Sequence, residues 1–325
     1  MSKTPIATLG RVVLCAVLCA TTVHAADPPD VFRRDNLLAW CIVPFDAKKR
    51  GPAARVEMLQ RLGFKKYAYD WRAEHLPTFD EELRLLKSHQ IELSAVWFPT
   101  ELNADAKTLL ALLEKHQVKT QLWVTGSGGP TTTPDEQRAR VMAEANRLRP
   151  IADAAGRLGC TVGLYNHGGW FGEPENQLAV LAELNLPNVG LVYNQHHGHD
   201  HVERFADLLA KMKPHLYALN LNGMVPDGER VGRKIVPLGA GSLDLKLLQI
   251  IRESGYSGPI GILGHTQDDA EERLRDNLDG LDWLLRQLNG QPAQPLPKYR
   301  TYTPPTAGNK VRQVPQPGTY YLAQG

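Results

Sequence analysis

Residues 160–201 read CTVGLYNHGGWFGEPENQLAVLAELNLPNVGLVYNQHHGHDH. Two apolar runs, Thr161–Tyr165 and Val189–Tyr193, have the length of buried strands, and each ends abruptly in amides and imidazoles. Asn166 and His167 follow the first; Asn194, His196 and His197 follow the second. Between them, Pro174–Leu186 carries Leu178, Leu181, Ala182 and Leu184 near helical spacing, so the stretch reads as strand, helix, strand. A crossover helix makes the two strands parallel, and both polar ends then open on the same side of one sheet.

The same unit repeats on either side. Upstream, Leu37–Val43 is a strand and Pro52–Leu62 a helix closed by Gly63; Lys66–Tyr69 is a strand followed by a helix opening at Thr78, with Glu81 as its capping-box partner. Ile91–Phe98 and Val118–Val124 are further strands, the first followed by a helix ending near His116. The second leads through Pro134 into a long helical stretch to Gly159, with a break or kink expected at Pro150. Downstream come a helix over Val202–Met212, a strand at His215–Leu221, a helix over Ser242–Ser254, a strand at Pro259–Leu263 and a last helix over Asp268–Leu288. Eight strand–helix units over residues 35–290 predict an α/β fold, a single-domain (β/α)8 TIM barrel. A doubly wound open sheet is the alternative, but no Gly-rich dinucleotide fingerprint follows the first strand. Residues 291–325 hold seven prolines and few aliphatics, the composition of an extended tail rather than a second domain.

The chain has 325 residues, 42% of them hydrophobic, enough for one large core. The first 26 residues have a basic start, an apolar stretch from Val12 to Val23 and small residues at Ala25 and Ala26, which predicts an export signal cleaved there and a periplasmic or extracellular mature protein. That apolar stretch is shorter than the ~20 residues a membrane span needs, so no stable span is expected in the mature chain. Removing Lys3 and Arg11 brings the formal charge from +2 to near zero, which does not suggest a nucleic-acid partner. Cys41 and Cys160 remain in the mature chain, beside apolar runs, with a disulfide and two free thiols both open.

In such a barrel the site is built from loops at the carboxyl ends of the strands. Those ends carry Asp70, Trp71 and Arg72; Trp97; Trp123; Tyr165, Asn166, His167 and Trp170; Asn194, His196 and His197; Asn220 and Asn222; and His265. Four of the six tryptophans, Trp71, Trp97, Trp123 and Trp170, fall on this face, and flat aromatics beside amides suit the C–H faces and hydroxyl edges of a sugar. The competing reading of any one of these tryptophans is a cap on the barrel core. His167, His197 and His265 are the candidate catalytic groups, because imidazole titrates near neutrality. Gly168 and Gly169 after His167 allow close approach of a substrate, although an imidazole bonded to a neighbouring strand fits as well. In the run His196–His201, His199 and His201 are read as ordinary loop residues. Gly239-Ala240-Gly241, preceded by Arg230, Arg233 and Lys234, has the make-up of an anion site, with a tight loop and solvated bases as the preferred reading.

The order of VGLYNHGG (162–169), VGLVYNQHH (189–197), LYALNLNG (216–223) and VPLGAGSLDLKLLQIIRESGYSGPIGIL (236–263) resembles the xylose isomerase-like TIM-barrel superfamily of sugar phosphate isomerases and epimerases. That resemblance implies a divalent metal held by carboxylates and histidine at the ends of strands five to eight, and proton transfer between sugar carbons through an enediol. At the corresponding positions this chain has Tyr165, Asn194, Asn220 and Leu263, with His197 kept, so the usual ligands are replaced and the divalent metal becomes an open question. The expected partner is a small-molecule carbohydrate. Acid–base isomerisation or epimerisation of a sugar or keto-sugar is the leading expectation. A lyase or hydratase step, a metal site rebuilt from His167, His197 and His265, and a catalytically silent carbohydrate-binding barrel are the alternatives.

Overall fold

Eight strands pair in parallel with their sequence neighbours, and β8 closes on β1 in the computed structural model. It describes residues 30–292 and 294–303, together with Met1. In chain order the elements are β1 Leu37–Trp40, α1 Pro52–Arg61, β2 Lys66–Tyr69, α2 Phe79–Ser88, β3 Glu92–Phe98 and α3 Ala104–Lys115. They continue with β4 Gln121–Val124, α4 Pro134–Arg157, β5 Thr161–Tyr165, the single turn α5 Gly169–Gly172, α6 Pro174–Leu184, β6 Val189–Asn194 and α7 Phe205–Met212. β7 Leu216–Leu221, α8 Asp244–Glu253, β8 Ile260–Leu263 and α9 Ala270–Leu288 complete the barrel. The (β/α)8 architecture read from the sequence is the one observed.

Period-two alternation divides the core into two layers. Outward residues such as Leu37, Tyr67, Val96, Leu122, Leu164 and Leu191 pack with the helices, while Leu38, Trp40, Ala68, Ala95, Trp123, Tyr165, Val192, Ala218 and Leu263 fill the lumen. Two lumen tryptophans meet edge to face, Trp40 on Trp123 with ring centroids 4.6 Å apart. Small residues elsewhere make room for them. A Cβ on Gly163 would stand 2.6 Å from Val192 Cγ2 and 3.1 Å from Trp123 Cδ1, so this β5 position admits no larger side chain without repacking.

Several local expectations are corrected. β1 stops at Trp40, short of Val43, because Cys41 turns the chain at φ 57° and Asp70 Oδ1 accepts the Ile42 and Val43 amides at 3.2 and 3.1 Å. Thr78 caps nothing: its hydroxyl donates to the His75 carbonyl, which ends a short 3-10 turn entering α2. α4 passes through Pro150 unbroken, with buried Leu148, Ile151, Ala152 and Ala155 holding both sides of the proline against the sheet. Residues 199–204 form a 3-10 turn, so the following helix begins at Phe205, and the next at Asp244. Cys41 and Cys160 are free and buried.

The described part of the proline-rich tail lies on the barrel. Fully buried Asp276 of α9 accepts the Arg300 and Thr301 amides and the Thr301 hydroxyl at 2.8–2.9 Å, and Tyr299 donates to the Leu238 carbonyl at 2.9 Å. The predicted export signal and residues 304–325 lie outside the described residues. Among the described residues no helix is long and apolar enough to cross a membrane.

Candidate active site

The floor of the barrel mouth is aromatic. Tyr165, 1% exposed, accepts a hydrogen bond from Trp40 Nε1 at 3.0 Å and another from Asn194 Nδ2, while its ring lies 5.0 Å from that of Trp97. Burial raises the Tyr165 hydroxyl far above the ordinary phenol range, so it stays protonated. Trp97, half-buried, rises from β3 to bring its ring 5.9 Å from that of His167.

On this floor stands a row of imidazoles. His167 is exposed at the end of β5, and its ring centroid lies 4.5 Å from that of His197, which follows β6. His197 packs on His196 at 3.6 Å, and His196 in turn meets His265, from the end of β8, at 5.4 Å. His196 thus links two of the predicted catalytic histidines. Among the described residues its buried Nδ1 has no partner, and neither has Nδ1 of His265. Burial lowers the basicity of all four, and the cations Lys234 and, for His167 and His265, Arg72 add to it; His265 is brought down to about 4. The row is therefore neutral at physiological pH. Phe45, from the β1 loop, stacks on His265 at 3.9 Å, and the Arg72 guanidinium lies 5.6 Å over Phe45.

Other predicted site residues are placed differently. Asn166 extends the β5–β6 ladder by one rung, donating to the Asn194 carbonyl at 3.1 Å and accepting the Asn194 amide at 2.7 Å. Asn194 uses its oxygen on the His196 amide at 3.2 Å, and Asn222 donates to the carbonyls of Gly223 and Lys234. Asn220 points into the lumen, where its Oδ1 occupies the space a Gly261 Cβ would need. Trp71 donates to the Trp97 carbonyl at 2.6 Å and is 7% exposed. Trp123 belongs to the lumen, bonded to Gln121 Oε1 at 2.8 Å, and Trp170 is fully buried toward α4, bonded to Gln137 Oε1 at 2.7 Å. Neither lies at the mouth. Asp70, 2% exposed, holds the β1 loop through Oδ1, while burial pushes its carboxyl up to about 6.

His199 and His201, read from the sequence as solvated loop residues, are instead buried: His199 reaches the Lys234 carbonyl at 2.9 Å and His201 pairs with Glu173 at 3.1 Å. In the glycine loop before α8, Asp244 Oδ2 already accepts the amides of Gly239 and Gly241, at 2.7 and 3.1 Å. Those amides are not free for an external anion. The mouth also contains Phe45, His196, Arg72 and Lys234, which no single motif joins. Arg72, shortly after β2, and His196, shortly after β6, were legible at strand ends; Phe45 and Lys234 arrive from long loops.

Among the described residues no group of three or more His, Cys, Asp or Glu side chains is placed to hold a metal ion. His167, His197 and His265 form a row with His196 between the last two, rather than converging on one point, and the carboxyl Oδ1 of Asp70 is turned to the backbone. The side chains as they stand do not fit the divalent metal implied by the resemblance.

Solved structures that match include 3-keto-D-glucoside 4-epimerase YcjR from E. coli, at 16% identity and TM-score 0.57, covering 77% of this chain and 99% of that one. The probable 3-DHS dehydratase AsbF from Bacillus anthracis matches at 16% identity and TM-score 0.54, covering 71% of this chain and 93% of that one. The IOLI protein, whose structure carries a zinc atom, matches at 15% identity and TM-score 0.58, covering 77% and 98%. No functionally curated protein matches the sequence. The profile of the family described as xylose isomerase-like TIM barrel matches residues 59–287, from α1 through α9. This chain belongs to the xylose isomerase-like TIM barrel family.

Proposed function

We propose that the protein is a sugar-modifying enzyme that moves a proton at a carbon next to a carbonyl, on a sugar or keto-sugar held against the Trp97 ring. The observation that carries this reading is the pair His167 and His197, with ring centroids 4.5 Å apart at the mouth and the basicity of both lowered by partial or full desolvation. A neutral imidazole is a competent base. One of the two takes the C–H proton, the electron pair passes into an enediolate, and the N–H of the other hydrogen-bonds the developing oxyanion. Return of the proton to the neighbouring carbon, with the hydroxyl proton passing to the enediolate oxygen, yields an isomer; return to the opposite face of the same carbon yields an epimer; and departure of a β-hydroxyl as water, protonated by the imidazolium, yields a dehydrated product. Similarity to a 3-keto-glucoside epimerase and to a dehydratase supports this range of outcomes without selecting one.

The test is turnover by the purified protein of a panel of ketohexoses and 3-keto-glucosides, resolved by chromatography. The wild type is expected to convert at least one member, and His197→Ala to lower that rate by roughly 10²–10⁴-fold. Binding of panel members with no conversion would replace the enzyme by a carbohydrate-binding barrel. Full turnover by both His167→Ala and His197→Ala would remove the assigned residues.

A further inference from the structure

Arg72 is exposed at the carboxyl end of β2, and its position is fixed from one side. Nη1 donates to the carbonyls of Asp70 and Trp71 at 2.8 and 2.7 Å, and the guanidinium rests over Phe45, which itself stacks on His265. Among the described residues no carboxylate lies within ion-pair distance of it, in contrast to Arg50, Arg55, Arg204 and Arg300, each paired with at least one acid. The buried Asp70 carboxyl turns Oδ1 to the Ile42 and Val43 amides, while its Oδ2 has no hydrogen-bond partner among the described residues. A second cation, Lys234, comes from the β7–α8 loop, whose backbone is held because the Lys234 carbonyl accepts from both His199 and Asn222. Among the described residues its ammonium pairs with Glu229 alone, and that acid is 50% exposed. Both cations lie close enough to the imidazole row to act on His167 and His265, and among the described residues the buried Nδ1 atoms of His196 and His265 have no partner.

We propose that the mouth selects a sugar bearing an oxyanion, a carboxylate or a phosphate, and that Arg72, supported by Lys234, binds that group while the sugar ring lies over the aromatic floor. This rests on the sugar-binding reading of the same mouth and adds the class of substrate. A guanidinium with free N–H groups, braced by an aromatic face, suits bidentate recognition of planar or tetrahedral oxyanions; the buried Asp70 carboxyl is close enough to feel its charge but forms no ion pair with it. The arrangement gives a cation a task that a neutral sugar would leave undone. It also places positive charge beside the carbons on which an enediolate would form.

Calorimetric titration of the whole protein with D-glucuronate, D-glucose 6-phosphate and D-glucose tests it, at low salt and again at 0.5 M NaCl. At least one charged sugar is expected to bind about tenfold or more tightly than glucose, with the advantage reduced by salt and erased in Arg72→Gln. Preference for glucuronate assigns the carboxylate, and preference for the phosphate ester assigns the phosphate. Because Arg72 also holds two carbonyls, Lys234→Gln is measured in parallel and is expected to weaken the charged sugars selectively, by a smaller factor. Arg138→Gln, on the outer surface of α4, is the control and should leave the preference unchanged. Equal affinity for all three sugars, no binding of any, or a charge preference that survives both mouth variants would overturn the proposal. Charge-selective binding without turnover keeps this inference and removes catalysis; turnover of neutral keto-sugars with no charge preference does the reverse.

Discussion

Replacing Asn166 by alanine separates a framework role from a ligand-binding one. The Asn166 amide makes two bonds to the main chain of Asn194, at 3.1 and 2.7 Å, and both residues are fully buried. The variant leaves the N–H and C=O of Asn194 without these partners, at about 1–3 kcal/mol each, so a loss of roughly 2–6 kcal/mol is expected. Against a typical stability of about 5–15 kcal/mol that is a large fraction. Urea unfolding followed by far-UV circular dichroism measures it. Asn166→Asp keeps the acceptor but removes the donor and buries a charge, so it should do no better than alanine. A change below about 0.5 kcal/mol in the alanine variant, paired with weakened sugar binding, would refute the rung and return Asn166 to the ligand-binding set.

The pH dependence has a definite sign. His167, His197 and His265 all have folded basicities below the ordinary 6.5, His265 at about 4, so activity requiring neutral imidazole should hold through neutrality and decline only on the acid side. In the same window the unfolded chain binds more protons, so stability should fall as pH drops from 6.5 toward 4; a rate limb centred at 6.5 or above would contradict the burial argument. Asp276→Ala removes the acceptor for Arg300 and Thr301 and is expected to cost about 1–3 kcal/mol and expose the segment near residue 300 to trypsin; unchanged proteolysis would count against the strap. Expression with the native leader is expected to deliver a chain beginning at Ala26 or Asp27 outside the cytoplasm, read by intact mass, and an uncleaved chain would refute export.

Much of the fold was legible because strand–helix alternation repeats locally: a run such as Val189–Tyr193 ending in polar residues marks a strand end wherever it occurs. The end of β1 was not, since Cys41 turns only because Asp70, 29 residues later, receives the next two amides. Trp97 and Trp123 show the limit for aromatics. Both occupy inward positions of paired neighbouring strands, yet Trp123 is sealed in the lumen and Trp97 reaches the mouth, a difference of depth that period two does not encode. Amides behave similarly, for Asn166 and Asn222 turn to backbone groups that only the neighbouring strand or loop supplies. Charge at the mouth was the hardest to read, because Arg72 and Lys234 are 162 positions apart.

Wash-in of deuterium from D₂O, followed by proton NMR on the keto-sugars of the panel, tests the proton-transfer claim most directly. Exchange at a carbon next to the carbonyl is expected with the wild type even when net conversion is small. It should be lost in His167→Ala or His197→Ala while both variants keep wild-type unfolding curves. Absence of exchange in every panel member, or exchange undiminished in both variants, would contradict proton transfer by these imidazoles.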